Sequence, residues 1–311
     1  MDVVVPGAAR EKLVVRFGPI ADAWCDALPA RMAALAERWS LRPAQQLGGG
    51  TSRVFVCARA DGSRAYLKLT PDPAVAAQEA EALRLWQACG RTPRLLAAEP
   101  AEGALLLAAV ERADGRPAPT LRGAADVRLP DVAGLLTAIR GHRPAQSGAL
   151  PSLAERVDFL FDLTLRRLDA GIPQGAPEPA VSPELVERCR CVALRLADGG
   201  PSALVHGDLH PGNVLDAGPG RGLVAIDPRP AVGDPDFDAV DWALSGATTR
   251  AAVDERIRRL ADLVPRLDAD RVGRWCEVSA VIMAVPRALR APGDPYTRLL
   301  LGMAALAAAS G

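Results

Sequence analysis

One stretch of the sequence decides most of its interpretation: LVHGDLHPGNVL, residues 204–215, followed by LVAID, residues 223–227. The two segments hold Asp208, then Asn213 five positions later, and Asp227 at the end of an apolar run. A carboxylate can accept the proton of a hydroxyl, and amide and carboxylate oxygens are ligands that Mg²⁺ prefers. Transfer of a phosphoryl group from ATP needs these parts. The pattern therefore predicts Asp208 as a catalytic base, and Asn213 and Asp227 as magnesium ligands.

The sequence before this stretch predicts a small α+β unit. Residues 53–59 and 64–69 are short β-prone runs joined by an Asp-Gly turn, which is typical of a hairpin. The composition of residues 74–89 favours a helix, and the apolar run 103–110 suits a buried strand. Apolar side chains spaced three and four apart also predict an amphipathic helix over 24–39.

The sequence beyond residue 110 predicts a linker and then a mainly helical domain. The linker is the polar, Pro- and Gly-bearing segment 111–119. Helices are predicted over 131–140, 152–170, 182–198, 236–246, 250–264, 268–290 and 295–309. Short apolar stretches predict strands at 203–205, 213–216 and 222–226. We therefore expect two domains, residues 1–110 and residues 111–311.

Composition excludes several classes of protein. The 37 basic and 37 acidic side chains cancel, and no basic run stands out, so a nucleic-acid-binding face is not expected. Six cysteines without C-x-x-C spacing indicate neither a zinc site nor a disulfide framework. The N-terminus lacks the basic region of a secretion signal, and the longest apolar stretch, 299–309, is too short to cross a bilayer. These features predict a cytoplasmic protein without a membrane partner, and they leave its oligomeric state open.

The loop pattern H-G-D-x-H-x-x-N with the following I-D resembles the aminoglycoside phosphotransferase family, whose members are distant relatives of protein kinases. Further segments resemble its streptomycin-kinase and hydroxyurea-kinase-like branch: residues 24–39, 67–69, 79–86, 95–97, 105–107, 227–228 and 233–235. The resemblance implies a protein-kinase-like, two-lobed α+β fold. In such a fold, a small N-terminal lobe with an antiparallel sheet and one main helix grasps ATP, and a larger helical lobe carries the base, the metal site and the acceptor site.

The resemblance also implies roles for single residues. Lys68 looks like the strand lysine that contacts the α- and β-phosphates of ATP, and Glu79 looks like its helix partner, with Glu81 as the alternative. His206 resembles a residue that braces the catalytic loop. Asp238 resembles the family's structural acid behind that loop.

Two stretches of backbone are expected to contact ATP. The first is the glycine-rich turn before the hairpin, which lacks the spacing of a P-loop and is assigned only proximity to the phosphates. The second is the junction of the strand 103–110 with the linker, where we expect the adenine. The predicted contacts are Gly49, Gly50, Thr51, Ser52, Val110 and Arg112.

Several acids leave two interpretations open. Asp236 precedes an apolar helical run and is predicted to cap it. Asp234 and Asp241 could line a pocket for a cationic substrate or lie on a solvated helix start. Asp158 and Asp162 are four apart and should share one face of a helix, which again could contact an acceptor or water.

The expected activity is ATP- and magnesium-dependent transfer of the γ-phosphate to a hydroxyl of a small molecule. The resemblance favours an aminoglycoside such as streptomycin as acceptor, with antibiotic resistance as the result. A kinase of a small metabolite, such as an amino sugar, an amino alcohol or a hydroxyurea-like compound, would use the same residues. A nucleotide-binding module that does not catalyse is disfavoured, because every catalytic position is filled.

Overall fold

The computed structural model describes residues 3–48, 51–121, 127–142, 150–171, 181–291 and 293–309. Contacts between residues divide the chain into two units, Met1–Pro117 and Ala118–Gly311. The domain limits inferred from the sequence, 1–110 and 111–311, remain a prediction.

The first unit is built around a five-stranded antiparallel sheet with the strand order β1-β2-β3-β5-β4. Its elements are α1 (Gly7–Phe17), α2 (Ile20–Arg38), β1 (Arg42–Leu47), β2 (Arg53–Ala58), β3 (Arg64–Leu69), α3 (Pro73–Trp86), β4 (Leu95–Glu99) and β5 (Ala104–Ala108). The predicted hairpin is confirmed as β2 and β3, and the predicted helices and the buried strand are confirmed as α2, α3 and β5.

The two faces of this sheet bury different groups. One face packs on α2 through an apolar cluster that includes Leu28, Leu35, Phe55, Leu67 and Leu69. The other face receives α3, where Ala76 and Ala80 pack with Leu105. Lys68 lies opposite Leu105 in the β3–β5 register. Since side chains alternate along a strand, Lys68 projects towards α3 and away from the cluster on α2.

Sequence patterns missed α1, β1 and β4. The strand β1 has the sequence RPAQQL, and its side chains are mostly exposed or half-buried, so no apolar alternation marks it. It lies at one edge of the sheet. On this edge the Gln46 side chain makes two hydrogen bonds to the backbone of Val4. Its Oε1 accepts from the Val4 amide at 3.2 Å, and its Nε2 donates to the Val4 carbonyl at 2.7 Å.

The second unit is mainly helical, as predicted. Its helices are α4 (Leu129–Ile139), α5 (Leu153–Gly171), α6 (Pro183–Asp198), α7 (Val240–Leu244), α8 (Arg250–Leu263), α9 (Ala269–Ala288) and α10 (Pro295–Ala309). Ser182, Thr249 and Asp268 cap α6, α8 and α9 with side-chain oxygens that accept backbone N–H groups. Two short antiparallel pairs accompany the helices: β6 (Ala203–Val205) with β9 (Ala231–Gly233), and β7 (Val214–Asp216) with β8 (Leu223–Ala225).

The helix predicted over 236–246 is wrong in its extent. A 3₁₀ turn covers Pro235–Ala239, and only the five residues of α7 follow it as α-helix. The capping assignment is also wrong, because Asp234 rather than Asp236 caps this segment by accepting from the Asp236 amide at 3.0 Å. The cause is Pro235: proline suits the first helical position, so the residue before it takes the cap.

None of the helices among the described residues is both long enough and apolar enough to cross a bilayer.

Candidate active site

The loop between β6 and β7 brings two of the predicted residues into contact. The Nδ2 of Asn213 donates to the backbone oxygen of Asp208 at 2.9 Å and to its Oδ2 at 3.2 Å. Asn213 ends a 3₁₀ turn that begins at Pro211, and His210 caps this turn by accepting from the Gly212 amide at 3.0 Å. Because the amide nitrogen of Asn213 faces Asp208, its side-chain oxygen is left for another partner.

Asp227 lies beside Asn213 because of the β7–β8 register. Val214 pairs with Ala225, and the next bond, from the Ile226 amide to the Asn213 carbonyl at 2.8 Å, extends the ladder by one step. Asp227 follows directly with a left-handed φ of 56°. Non-glycine residues are uncommon in that region, and they concentrate at functional sites. The structure thus brings the predicted base and both predicted metal ligands together.

A buried carboxylate accepts hydrogen bonds from the backbone at the start of the loop. Asp238 accepts from the His206 amide at 2.7 Å through Oδ2 and from the Gly207 amide at 2.9 Å through Oδ1. Burial raises the pKa of Asp238 to about 7, and the two N–H donors oppose that rise. Gly207 has a φ of 72°, and a Cβ at this position would lie 2.1 Å from the Arg229 carbonyl oxygen. Only glycine fits there.

His206 links the loop to the strand that ends at Asp227. Its Nε2 lies 3.1 Å from the Ile226 carbonyl, and the Arg229 amide donates to the His206 carbonyl at 2.8 Å. The ring is fully buried, and burial lowers the pKa of His206 to about 4. The imidazole is therefore neutral at pH 7 and braces the loop, as the resemblance implied.

A further residue of this site, Arg156 on α5, was missed by the sequence analysis. Its Nε and Nη2 donate to the Gly207 carbonyl at 3.2 and 3.1 Å, and Nη2 lies 3.9 Å from Asp208 Oδ1. The side chain is buried, and burial lowers the pKa of Arg156 to about 10. One sequence signal was available: Arg156 shares the helical spacing of the buried residues Leu153 and Val157.

In the first unit, the predicted lysine and its helix partner form an ion pair. Lys68 Nζ donates to Glu79 Oε2 at 2.5 Å, and both side chains are buried. The geometry thus pairs Lys68 with Glu79 rather than with Glu81.

The predicted backbone contacts to ATP can be placed only in part. Gly49 and Gly50 lie outside the described residues. Ser52 is buried and Thr51 is half-buried. At the other predicted contact, Val110 is buried. The remaining one, Arg112, lies in a turn closed by its own amide, which donates to the Arg116 carbonyl at 2.9 Å. The Arg112 N–H is thus already hydrogen-bonded within the protein.

Comparison with known proteins identifies the family. The profile of the family described as aminoglycoside/hydroxyurea antibiotic resistance kinase matches residues 38–289. This match spans most of the chain and includes the loop with Asp208 and Asn213, strand β8 with the following Asp227, and Lys68. The chain belongs to this kinase family. The resemblance inferred from the sequence is confirmed, and so is the predicted class of enzyme, a small-molecule phosphotransferase.

Curated members of the family are similar over most of their length. Hydroxyurea phosphotransferase of Kitasatospora aureofaciens is 34% identical over 279 residues, which cover 88% of this chain and 77% of that protein. Streptomycin 6-kinase of Streptomyces glaucescens is 31% identical over 280 residues, which cover 88% of this chain and 87% of the relative.

Solved structures support the kinase-like fold of this family member. Choline kinase LicA from Streptococcus pneumoniae matches with a TM-score of 0.60 at 16% identity, covering 91% of this chain and all of that one. A thermostable mutant of aminoglycoside phosphotransferase APH(4)-Ia, solved with ADP and hygromycin B, matches with a TM-score of 0.53 at 16% identity, covering 90% and 98%. The predicted fold class is confirmed, and membership in a kinase family supports the predicted use of ATP.

The acids considered for the acceptor side of this kinase fall into different environments. Asp234 is buried and accepts from Trp275 Nε1 at 2.6 Å and from the Arg271 guanidinium, so both interpretations offered for it are wrong. Asp241 is half-buried, and burial raises its pKa to about 6, with His210 lowering and Asp208 raising that pKa.

The pair on α5 shares one helix face, as predicted, but that face meets α6. Arg190 of α6 places Nη2 2.5 Å from Asp158 Oδ1 and Nη1 3.3 Å from Asp162 Oδ1. One guanidinium therefore neutralises much of the negative charge that an acceptor would need from this face.

Proposed function

We propose that this kinase transfers the γ-phosphate of ATP to a hydroxyl of a small acceptor, with Asp208 as the base. The observation that carries the proposal is the cluster of Asp208, Asn213 and Asp227, held together by the loop and the β7–β8 ladder. Chemistry of this kind asks a protein mainly for positioning and for neutralisation of charge. A cluster fixed by backbone hydrogen bonds supplies the positioning.

Asp208 would accept the proton of the attacking hydroxyl. Its side chain is 38% exposed, in contrast to the buried Asp238 beneath the loop, so an acceptor can approach it. The bond from Asn213 to Oδ2 orients the carboxylate before the acceptor arrives. Preorganisation of this kind lowers the cost of reaching the reactive geometry.

The donor set fits magnesium. The described residues contain no group of three or more His, Cys, Asp and Glu side chains that could hold a metal ion by themselves. Mg²⁺ is commonly held by one or two protein oxygens together with phosphate oxygens and water. Asn213 and Asp227 would hold it in that manner, and when bound it would neutralise the charge that develops on the phosphates. Lys68, held by Glu79, would add a cation on the phosphate oxygens.

An aminoglycoside of the streptomycin kind is the first candidate acceptor, because a relative that is 31% identical is a streptomycin 6-kinase. Asp241 would bind a cationic group of such an acceptor. It lies one helical turn after Asp238, which holds the catalytic loop, and within the described residues its carboxylate forms no hydrogen bond or ion pair.

A hydroxyurea-like acceptor is a second candidate, and the surroundings of the acids favour it. A relative that is 34% identical is a hydroxyurea phosphotransferase. Of the acids considered for a polycationic acceptor, Asp158, Asp162 and Asp234 are already paired with arginines of the protein. A neutral or small acceptor does not need them.

The test is ATP consumption across streptomycin, other aminoglycosides, hydroxyurea and small amino alcohols, with transfer confirmed by the mass of the product. We expect wild type to phosphorylate streptomycin or hydroxyurea, and Asp208→Asn to do so about 10²–10⁴-fold more slowly. Turnover of an amino alcohol alone would replace both candidates with a metabolite kinase. ATP binding without transfer to any acceptor would refute the proposed activity.

A further inference from the structure

A buried guanidinium lies behind the predicted base. Arg156 directs two nitrogens at one acceptor, the Gly207 carbonyl, at 3.2 and 3.1 Å. That carbonyl takes its direction from the left-handed φ of Gly207, which the adjacent Arg229 carbonyl restricts to glycine. The backbone of the loop thus presents the Gly207 carbonyl to the Arg156 guanidinium.

A neutral donor would satisfy the Gly207 carbonyl, so the hydrogen bonds alone do not account for a charge at this position. Burying a cation is costly unless an anion lies near it. The anion here is Asp208, whose Oδ1 lies 3.9 Å from Arg156 Nη2. The second carboxylate of the site has a matching arrangement, with Asp227 Oδ1 3.3 Å from Arg229 Nη2. Each carboxylate of the cluster therefore has a guanidinium of its own.

The two oxygens of Asp208 face different groups. Asn213 donates to Oδ2 at 3.2 Å, and Arg156 lies on the side of Oδ1. The hydrogen bond from Asn213 fixes Oδ2, and the charge of Arg156 favours the orientation of the carboxylate that keeps Oδ1 towards α5. Its orientation relative to an incoming hydroxyl is therefore set by α5 as well as by the loop.

We propose that Arg156 is a positioning residue for phosphoryl transfer, acting through Asp208 and the Gly207 carbonyl; this inference rests on the proposed function. It assigns to α5 a role in the reaction that no loop motif marks. The guanidinium is buried, and no contact with nucleotide or acceptor is assigned to it, so its loss should lower kcat while leaving the KM for ATP nearly unchanged.

The first experiment compares kcat and KM for Arg156→Met and Arg156→Lys, with rates normalised to the folded fraction. We expect kcat to fall about 10²-fold in Arg156→Met, because small misplacements of reacting groups cost about that much. Lysine keeps the charge but not the fork of donors, so Arg156→Lys should recover part of the loss. The matched control is Arg190→Met, which removes an arginine of α6 that pairs with Asp158 and Asp162 of α5, and which should leave kcat within threefold. A kcat within threefold of wild type in Arg156→Met would overturn the proposal.

The second experiment is a double-mutant cycle that needs no acceptor. Urea unfolding is measured for wild type, Arg156→Met, Asp208→Asn and the double variant. If Arg156 acts on Asp208, Arg156→Met destabilises the protein less in the Asp208→Asn background than in wild type. Equal losses in both backgrounds would refute the contact, and Arg156→Lys replaces Arg156→Met in the cycle if the latter does not fold. Should wild type phosphorylate no acceptor, the proposed function fails, while this cycle still decides whether Arg156 acts on Asp208.

Discussion

Two groups of acids in the second unit differ in how fully the protein satisfies them. Asp234, Asp236 and Asp238 are buried, with 1%, 1% and 5% of their surface exposed. Asp208 and Asp227 keep 38% and 32% of their side chains exposed. The buried acids lie within five consecutive residues, whereas Asp208 lies in the loop after β6 and Asp227 lies just after β8.

The two groups of acids also differ in the distances to the groups that donate to them. Asp238 accepts two backbone N–H groups within 2.9 Å, and Asp236 accepts from Arg140 at 2.7 Å. The guanidinium contacts of Asp208 and Asp227 are longer, at 3.9 and 3.3 Å. The buried acids are saturated with donors from the protein, whereas Asp208 and Asp227 keep about a third of their side chains exposed to solvent. If this division separates structure from chemistry, variants of the buried acids should lose stability and variants of the exposed acids should lose activity.

The largest effect is expected at Asp208. Asp208→Asn removes a positioned base and should lower turnover about 10²–10⁴-fold. ATP affinity, measured by calorimetry, should stay close to that of wild type, because this residue is not assigned to the nucleotide. Turnover within threefold of wild type would remove Asp208 from the role of base.

Asp227 should control the response to magnesium. In wild type, Mg²⁺ should tighten ATP binding, and Asp227→Ala should remove most of that gain, because a hard cation selects oxygen ligands. ATP is titrated with and without Mg²⁺ on both proteins. An undiminished magnesium dependence in the variant would show that the metal site lies elsewhere.

Asp234 should matter for stability and little for chemistry. Asp234→Asn leaves Arg271, whose side chain is 13% exposed, without its anionic partner, and loss of one partner of a largely buried ion pair costs about 3–5 kcal/mol. Urea unfolding measures this cost. As a control, Asp162→Asn alters a pair with a more exposed acid and should cost about 1 kcal/mol or less. Equal costs for the two variants would contradict the division between the groups of acids.

The pH dependence of stability should show two opposing contributions. The lowered pKa of His206 makes the unfolded chain bind a proton more readily, so its contribution to stability is lost as pH falls from 6.5 towards about 4. The raised pKa of Asp238 makes the folded protein bind a proton, so its contribution is lost as pH rises from about 4 towards about 7. Between pH 4 and 6.5 the two slopes cancel.

Replacing either His206 or Asp238 should expose the pH dependence of stability that the other residue contributes. Relative to wild type, Asp238→Asn should gain roughly 3 kcal/mol of stability as pH rises from 4 to 6.5. His206→Gln should show the reverse slope. The measurement is the difference in unfolding free energy between variant and wild type at each pH, in which groups common to both cancel. Differences that do not change with pH would show that neither group titrates as the structure implies.

The sequence predicted those parts of the site that lie close together along the chain. Asp208, Asn213 and Asp227 fall on one loop and one hairpin, so their residue types, their spacing and the resemblance to the kinase family predicted them as a group. Lys68 and Glu79 were found through the resemblance, and the alternation of β3 explains why they meet. At these positions the local sequence pattern is itself the pattern that the proposed chemistry requires.

Other features depend on packing between distant segments, which spacing does not encode. Arg156 meets Gly207 across 51 positions, and Asp234 meets Arg271 across 37. An acid before a helix looks solvated in sequence, yet Asp234 is covered by α9. Burial of a charged residue is decided by the partner that another helix brings, and no motif carries that information.

The most direct test of the account compares Asp208→Asn with Asp234→Asn in one assay. Transfer of the γ-phosphate to an acceptor accepted by wild type is measured at saturating ATP and acceptor, and rates are divided by the folded fraction of each protein. We predict that Asp208→Asn loses about 10²–10⁴ in kcat per folded molecule, whereas Asp234→Asn is less stable than wild type but nearly as active per folded molecule. Equal losses of kcat in the two variants would contradict it.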